Sequence, residues 1–374
     1  MRKITIHILG LPHTRFTGDY SQCAFTQKAK KLAKMLHDRG HTVYLYGSGK
    51  NINYNEFCKE YIPVFSEEEF KQWFPSLEIL DWNNPERWSE WNARAAVEIN
   101  KRSKDTDILA STFGNLQQPA CLNSNCIPVE TGIGYTGVFA PFQIYESYAI
   151  RTYILGIFNM MNNPRLHDTV IPNYYDLSEF EFNDKPDDYY LFMGRLNADK
   201  GFQTACRTAK IMGKKIKLAG IIGDKEVFSE VMSYGNVEYL GVINSERRKE
   251  ELKNAEAVFV PTTYLEPFGG IHIEALLSGT PVITSDIGIF PETIQNGFNG
   301  YRCTNLAEFI EAAGKIKQID RRTCYDWAVK NFSLDAIAPR YEYYFDRILS
   351  VYEGATYDSI DVLARNDMLN TYFK

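Results

Sequence analysis

What most constrains this chain is a strand–helix–strand alternation that occurs twice. Ile4-Thr5-Ile6-His7-Ile8-Leu9-Gly10 is alternating and β-branched, and reads as a buried strand. A polar loop over 12–22 follows, then a helical pattern over 24–39 stopped by Gly40, then a strand at 41–47. Two strands joined this way lie parallel, since the helix supplies the crossover that a parallel pair needs. Further strands are predicted at 107–111 and 126–129, a helix at 145–160 and a strand end at 171–173, whereas 51–104 is polar, aromatic and weakly periodic. After a charged run at 179–188, read as a surface linker, strands at 189–194, 215–220, 237–241, 257–261 and 281–284 alternate with helices. A length of 374 residues suits two domains of ~150–180 residues better than one core. The expectation is an α/β chain of two Rossmann-like domains facing across a cleft, 1–172 and 173–351. A C-terminal helix is expected to cross back, with a tail at about 352–374 packing on the first domain. Sheets of this kind bind ligands at the carboxyl ends of their strands.

The net charge of −6 disfavours a globally basic nucleic-acid binder, leaving a local basic groove open. The seven cysteines show no C-x-x-C spacing, which fits reduced thiols in a cytoplasmic protein and no structural zinc. The first apolar run is short and holds Thr5 and His7, so it is read as a strand rather than a signal peptide. No run approaches the ~20 apolar residues of a membrane span.

Two motifs carry chemistry. Glu266-Pro267-Phe268-Gly269-Gly270-Ile271-His272-Ile273-Glu274 follows an apolar strand and opens a helix. Its glycines leave backbone N–H groups free to face an anion or a sugar hydroxyl, and the two carboxylates can point to one site. A bare pair of glutamates at this spacing is common by chance, and a solvated loop acid beside an unrelated helix acid is the alternative. The second motif is Gly194-Arg195-Leu196 with Lys200-Gly201 after it, at the end of an apolar run. Arg195 can fork onto a diphosphate and Lys200 adds a point charge.

The context distinguishes the first motif from chance. Glu274-Ala275 leads to Gly279-Thr280-Pro281-Val282, then to Pro291-Glu292-Thr293-Ile294-Gln295-Asn296-Gly297 and Asn299-Gly300. This succession resembles the C-terminal signature of glycosyltransferase family 4, the large retaining family of GT-B fold, over roughly 189–345. The resemblance implies a nucleoside-diphosphate sugar as donor. Arg195 and Lys200 would hold its diphosphate without a metal or other cofactor, and Glu266 would contact the transferred sugar. Glu274 would accept from the ribose hydroxyls. Backbone at Phe268, Gly269, Gly270 and Ile271 would line phosphate and sugar, Val242 and Ile243 would meet the base, and Gly194 and Gly220 would form strand ends beside them. It also implies retention of anomeric configuration, by double displacement on Glu266 or by same-face attack in which the leaving phosphate takes the acceptor proton. The second is preferred. The acceptor, a carbohydrate or glycolipid by default, would bind the first half, where Gly18 is the remnant of a Gly-Gly that relatives place near the phosphate.

Other residues remain two-sided. Glu130 stands where relatives carry a histidine near the reaction centre, and reads equally as an acceptor-side base or a strand-end acid. Glu146 reads as a helix cap or surface acid. Asp105-Thr106-Asp107 precedes its strand, so a turn is favoured over a metal site. His272 stands between the two key glutamates. Lys28, Lys30, Lys31 and Lys34 give one helix a basic side, read as a solvated face or as peripheral contact with a membrane. Competing readings are a nucleotide-sugar 2-epimerase of the same fold, a transferase acting on a modified DNA base, and a catalytically silent binding subunit.

Overall fold

The computed structural model describes residues 2–17, 23–51, 53–75, 84–160, 162 and 167–354. They fall into two compact units, one of 2–146, 153–174 and 337–354, the other of 147–152 and 175–336.

Unit 1 is built on seven strands: β1 (Thr5–Leu9), β2 (Thr42–Ser48), β3 (Glu60–Phe65), β4 (Ile108–Ser111), β5 (Ile127–Ile133), β6 (Phe142–Tyr145) and β7 (Thr169–Val170). Their order is β3-β2-β1-β4-β5-β6-β7, and all pairs are parallel. The helix Ala24–Asp38 turns Ala29, Leu32, Ala33 and Leu36 inward, the i, i+3, i+4, i+7 stripe that a core-facing helix needs. The segment 51–104, weakly periodic in sequence, contributes β3 and the helix Pro85–Asn100. Pro63 is tolerated within β3 because that strand is a sheet edge. The helix is capped by the Asn84 side chain with Pro at its first turn, and buries Trp88, Trp91, Ala95 and Ile99.

The final helix, Leu334–Tyr352, contains Pro339, and its residues from 337 onward belong to unit 1. There the Glu342 carboxylate accepts from Arg39 Nε at 2.6 Å and His41 Nε2 at 2.9 Å. Tyr341 meets Tyr174 edge-on at 5.6 Å. Unit 1 therefore closes around three separate stretches of chain, and the chain leaves it at Tyr174. The residues of the expected tail, 355–374, lie outside the described residues.

Unit 2 holds β8 (Tyr189–Met193), β9 (Lys215–Ala219), β10 (Val237–Tyr239), β11 (Ala257–Val260), β12 (Val282–Ser285) and β13 (Gly300–Cys303). Again all are parallel, in the order β10-β9-β8-β11-β12-β13. That is the doubly wound order in which the chain reverses direction between its first and fourth strands, here β8 and β11. The carboxyl ends of that pair open the crevice where such sheets take ligands.

Candidate functional site

Both motifs converge on that reversal point. β8 ends at Met193 and hands on to Gly194-Arg195; β11 ends at Val260 and leads through Pro261 to Glu266. Gly201, in the left-handed region at φ +74, closes the short turn that carries Lys200, and a Cβ there would meet the Pro261 carbonyl oxygen at 1.9 Å. Only glycine lets the two strand ends approach this closely. Gly220 is bound the same way, at φ +143 with a Cβ position 1.9 Å from the Gly194 oxygen.

This packing delivers Lys200 to Glu266. Lys200 Nζ donates to Glu266 Oε2 at 2.8 Å and also contacts the Tyr264 hydroxyl, which itself donates to Glu266 Oε2 at 2.5 Å. Lys200 keeps a third N–H without a partner among the described residues. Glu266 is buried. Burial, then the Glu266 charge, pushes the Tyr264 phenol well above its ordinary range, so it stays protonated and donating. Arg195 is exposed and makes no hydrogen bond or ion pair among the described residues, yet its charge acts on the Tyr264 hydroxyl.

Beyond Glu266 the chain makes a backbone cradle. Gly269, at φ +65, packs against the Glu266 side chain. The carbonyls of Gly269 and Gly270 accept from the N–H groups of His272, Ile273 and Glu274. The N–H groups of Gly269, Gly270 and Ile271 take no backbone acceptor among the described residues. Phe268 is buried against His272 and Phe332, so only its backbone is available to a ligand. His272 is also a structural residue: its Nδ1 meets the Gly269 carbonyl at 2.6 Å and its Nε2 the Thr293 hydroxyl at 3.0 Å. Burial lowers its pKa to about 4, so the ring is neutral with Nδ1–H as donor.

Glu274 lies on the helix Ile271–Leu276 and pairs with Arg248. Gly220 N–H donates to the Gly241 carbonyl at 2.9 Å, joining the ends of β9 and β10. Just beyond those glycines, Ile221 and Val242 are 57% and 54% exposed. Two exposed apolar side chains at neighbouring strand ends form a surface that a flat ring could cover, and Ile243 follows directly. The segment 147–152 also belongs to this unit. Ser147 Oγ donates to the Pro267 carbonyl at 2.7 Å, and Glu292 accepts from the N–H groups of Tyr148 and Ala149 at 3.0 and 2.7 Å. Nothing in the sequence pattern marked Tyr264, Arg248 or Ser147, because the groups they meet, Lys200, Glu274 and Pro267, lie far along the chain.

Unit 1 holds the remaining expected residues. Glu130, on β5, is fully buried. Its Oε2 accepts from the N–H groups of Phe139 and Ala140 at 2.8 and 2.9 Å and from Gln143 Nε2 at 3.3 Å, so the carboxylate staples the loop after β5. Glu146 is not a surface acid: it is buried and paired with Lys28, which also donates to the Gly132 carbonyl at 2.8 Å. The lysines of the first helix accordingly do not form one solvated face. Lys30 lies over the Phe57 ring and Lys34 pairs with Asp38. Asp107 accepts from the Lys104 N–H at 2.9 Å, a turn contact. Gly18 lies outside the described residues. Among those residues no cluster of three or more His, Cys, Asp or Glu is arranged to hold a metal, no helix is long and apolar enough to cross a membrane, and all seven cysteines are free.

The fold and the crevice thus define a two-unit α/β protein with an anion-ready site at the reversal point of its second sheet. Residues 176–320 match the family described as "Glycosyl transferases group 1". A 119-residue stretch is 36% identical to an uncharacterised glycosyltransferase of Methanocaldococcus jannaschii, covering 29% of this chain and 30% of that one. Over the first curated relatives it matches, the chain spans 30% to 40% of their length. Among solved structures, the sucrose-phosphate synthase of Thermosynechococcus elongatus aligns over 93% of this chain and 100% of its own, with a TM-score of 0.73 at 17% identity. The HepE protein of Anabaena, solved with UDP and glucose, aligns over 92% and 100%, with a TM-score of 0.65 at 14% identity. At these identities the likeness establishes the GT-B fold.

Proposed function

We propose that the chain is a retaining, metal-independent glycosyltransferase that moves a sugar from a nucleoside-diphosphate sugar to a hydroxyl of a carbohydrate or lipid-linked saccharide. The observation that carries this reading is the Lys200–Tyr264–Glu266 cluster standing beside three backbone N–H groups without backbone partners. A diphosphate satisfies those donors: Lys200 turns its third N–H to a phosphate oxygen, Arg195 supplies an exposed fork, and the amides of 269–271 bind the remaining oxygens. The sugar then rests against Glu266. The C1–O bond to the diphosphate breaks, the acceptor oxygen bonds to C1 on the same face, and its proton passes to the departing phosphate oxygen. Charge develops on that phosphate, so preorganised cations and amides act where the transition state needs them. Glu130 fits a positioning role for the acceptor-side loop better than a base, since its acceptor capacity is already engaged.

The test is turnover of nucleotide sugars without acceptor. Release of free sugar and nucleoside diphosphate, with unchanged rate in chelator, supports the reading, and the anomer of a product formed on added acceptor reports retention. Exchange at C2 of the sugar would instead indicate an epimerase. Failure of every nucleotide sugar to bind would remove the proposal.

A further inference from the structure

Arg248 lies on the helix Ser245–Asn254, which is capped by Asn244, whose side chain accepts from the Arg247 N–H at 2.9 Å. That helix begins directly after Gly241-Val242-Ile243, the strand end with the exposed apolar surface. Its guanidinium reaches Glu274, on a different helix, and pairs through Oε2. Glu274 Oε1 lies over Gly270, 3.5 Å from where a Cβ would stand. A second group braces the same spot: the Tyr175 hydroxyl donates to the Gly270 carbonyl at 3.3 Å. Glu274 Oε2 thus faces the guanidinium as an ion pair without a hydrogen bond of its own among the described residues, and Oε1 stands on the side of the backbone cradle. A carboxylate only 11% exposed needs a charged partner to offset its burial, and the guanidinium is that partner.

Resting on the reading of this crevice as a nucleotide-sugar site, we infer that Arg248 is a positioning residue that holds Glu274 in one orientation for the ribose hydroxyls. It thereby makes the chain selective for ribonucleotides over deoxyribonucleotides. The element that meets the base and the residue that meets the ribose are joined through this ion pair. Arg248 itself touches no substrate in this scheme.

The experiment is calorimetric binding of UDP and GDP and of their 2′-deoxy counterparts to the full chain, in wild type and in the variants Arg248→Met, Arg248→Lys and Glu274→Gln. Wild type binds the ribonucleotide more tightly by about tenfold or more, the scale of one hydrogen bond to a charged acceptor. In Arg248→Met that ratio falls to within about threefold of unity, because the ribonucleotide loses more affinity than the deoxynucleotide, which keeps only its 3′-hydroxyl for Glu274. Arg248→Lys restores part of the ratio, and Glu274→Gln lowers it like Arg248→Met. A merely structural role would weaken both nucleotides equally in Arg248→Met and leave the ratio intact, and that outcome overturns the inference. If wild type prefers the ribonucleotide and Arg248→Met keeps the full preference, the inference also fails while the site reading stands. If wild type binds none of the four nucleotides, the reading of the site itself fails.

Discussion

Replacing Lys200 by methionine removes the cation from Glu266 while keeping most of the stem. At 2.8 Å two unit charges interact by about 6 kcal/mol gross at an effective dielectric of ~20. Much of that attraction offsets the cost of drawing both groups out of water. Breaking a buried pair by removing one partner costs about 3–5 kcal/mol. Here the Tyr264 hydroxyl still donates to Glu266, and Lys200 retains 21% side-chain exposure, so the lower end, about 3 kcal/mol, applies. For a unit of this size that lowers the melting temperature by roughly 6–12 °C. The check is a thermal melt followed by circular dichroism for wild type, Lys200→Met, Glu266→Gln and the double variant. The double variant should recover stability relative to the sum of the singles by about 1–3 kcal/mol. Added nucleoside diphosphate at ~100 times its Kd should stabilise wild type by about 2.7 kcal/mol and Lys200→Met far less. A Lys200→Met protein that melts with wild type and keeps its nucleotide shift would refute both the pair and its proposed task.

Further outcomes are expected elsewhere. Gly201→Ala combines a left-handed φ with a Cβ 1.9 Å from the Pro261 oxygen and should cost unit 2 about 2–4 kcal/mol in urea unfolding. Gly235→Ala, at φ +77 with nothing within 4 Å, should cost only about 1–2 kcal/mol. His272 has a folded pKa of about 4, below its unfolded value of about 6.5, so the unfolded chain binds the extra proton. Its contribution is complete above about pH 6.5 and is lost as pH falls toward 4, amounting to about 3 kcal/mol; His272→Gln should flatten the dependence of the urea midpoint on pH over that window. Glu292→Gln leaves one of the Tyr148 and Ala149 N–H groups facing an amide NH₂, and should lower unit 2 stability by about 1–3 kcal/mol in the same unfolding assay.

The alternation of strands and helices was legible because each parallel βα step carries its own hydrophobic period and its own glycine stop. The elements that escaped are short or irregular for identifiable reasons. β3 contains Pro63, which an edge strand tolerates but which argues against a strand when the edge is unknown. β6 (Phe142-Gln143-Ile144-Tyr145) and β13 (Gly300-Tyr301-Arg302-Cys303) lack the run of β-branched apolar residues that marked the equally short β11 and β12. The helix Pro85–Asn100 did carry a signal, Asn84-Pro85 followed by Trp88, Trp91, Ala95 and Ile99, in a segment whose aromatic richness concealed the helical spacing. In the crevice, Lys200, Glu266 and Glu274 were legible from motif spacing. Glu130 and Glu146 were visible as acids, but their environments were not, since the residues that bury them are distant in sequence. For Glu146 the partner is Lys28, 118 positions away.

The same distance explains the charge balance of the crevice. Each motif carboxylate is held by a cation from another element: Glu266 by Lys200 from the turn after β8, and Glu274 by Arg248 from the helix after β10. A buried carboxylate with no cation would tend to take up a proton, and a neutral acid accepts weakly. Two cations therefore balance both acids before any ligand arrives. The two differ in what they have left to give. Lys200 retains an N–H for an incoming anion, whereas Arg248 serves the carboxylate it already holds. Arg195, exposed and unpaired among the described residues, adds charge at the rim without a preset partner. A dianionic diphosphate entering this crevice meets cations that need not desert buried acids to receive it, which is why substitution of Arg195 should weaken nucleotide binding with little change in unfolding midpoint, whereas substitution of Lys200 changes both.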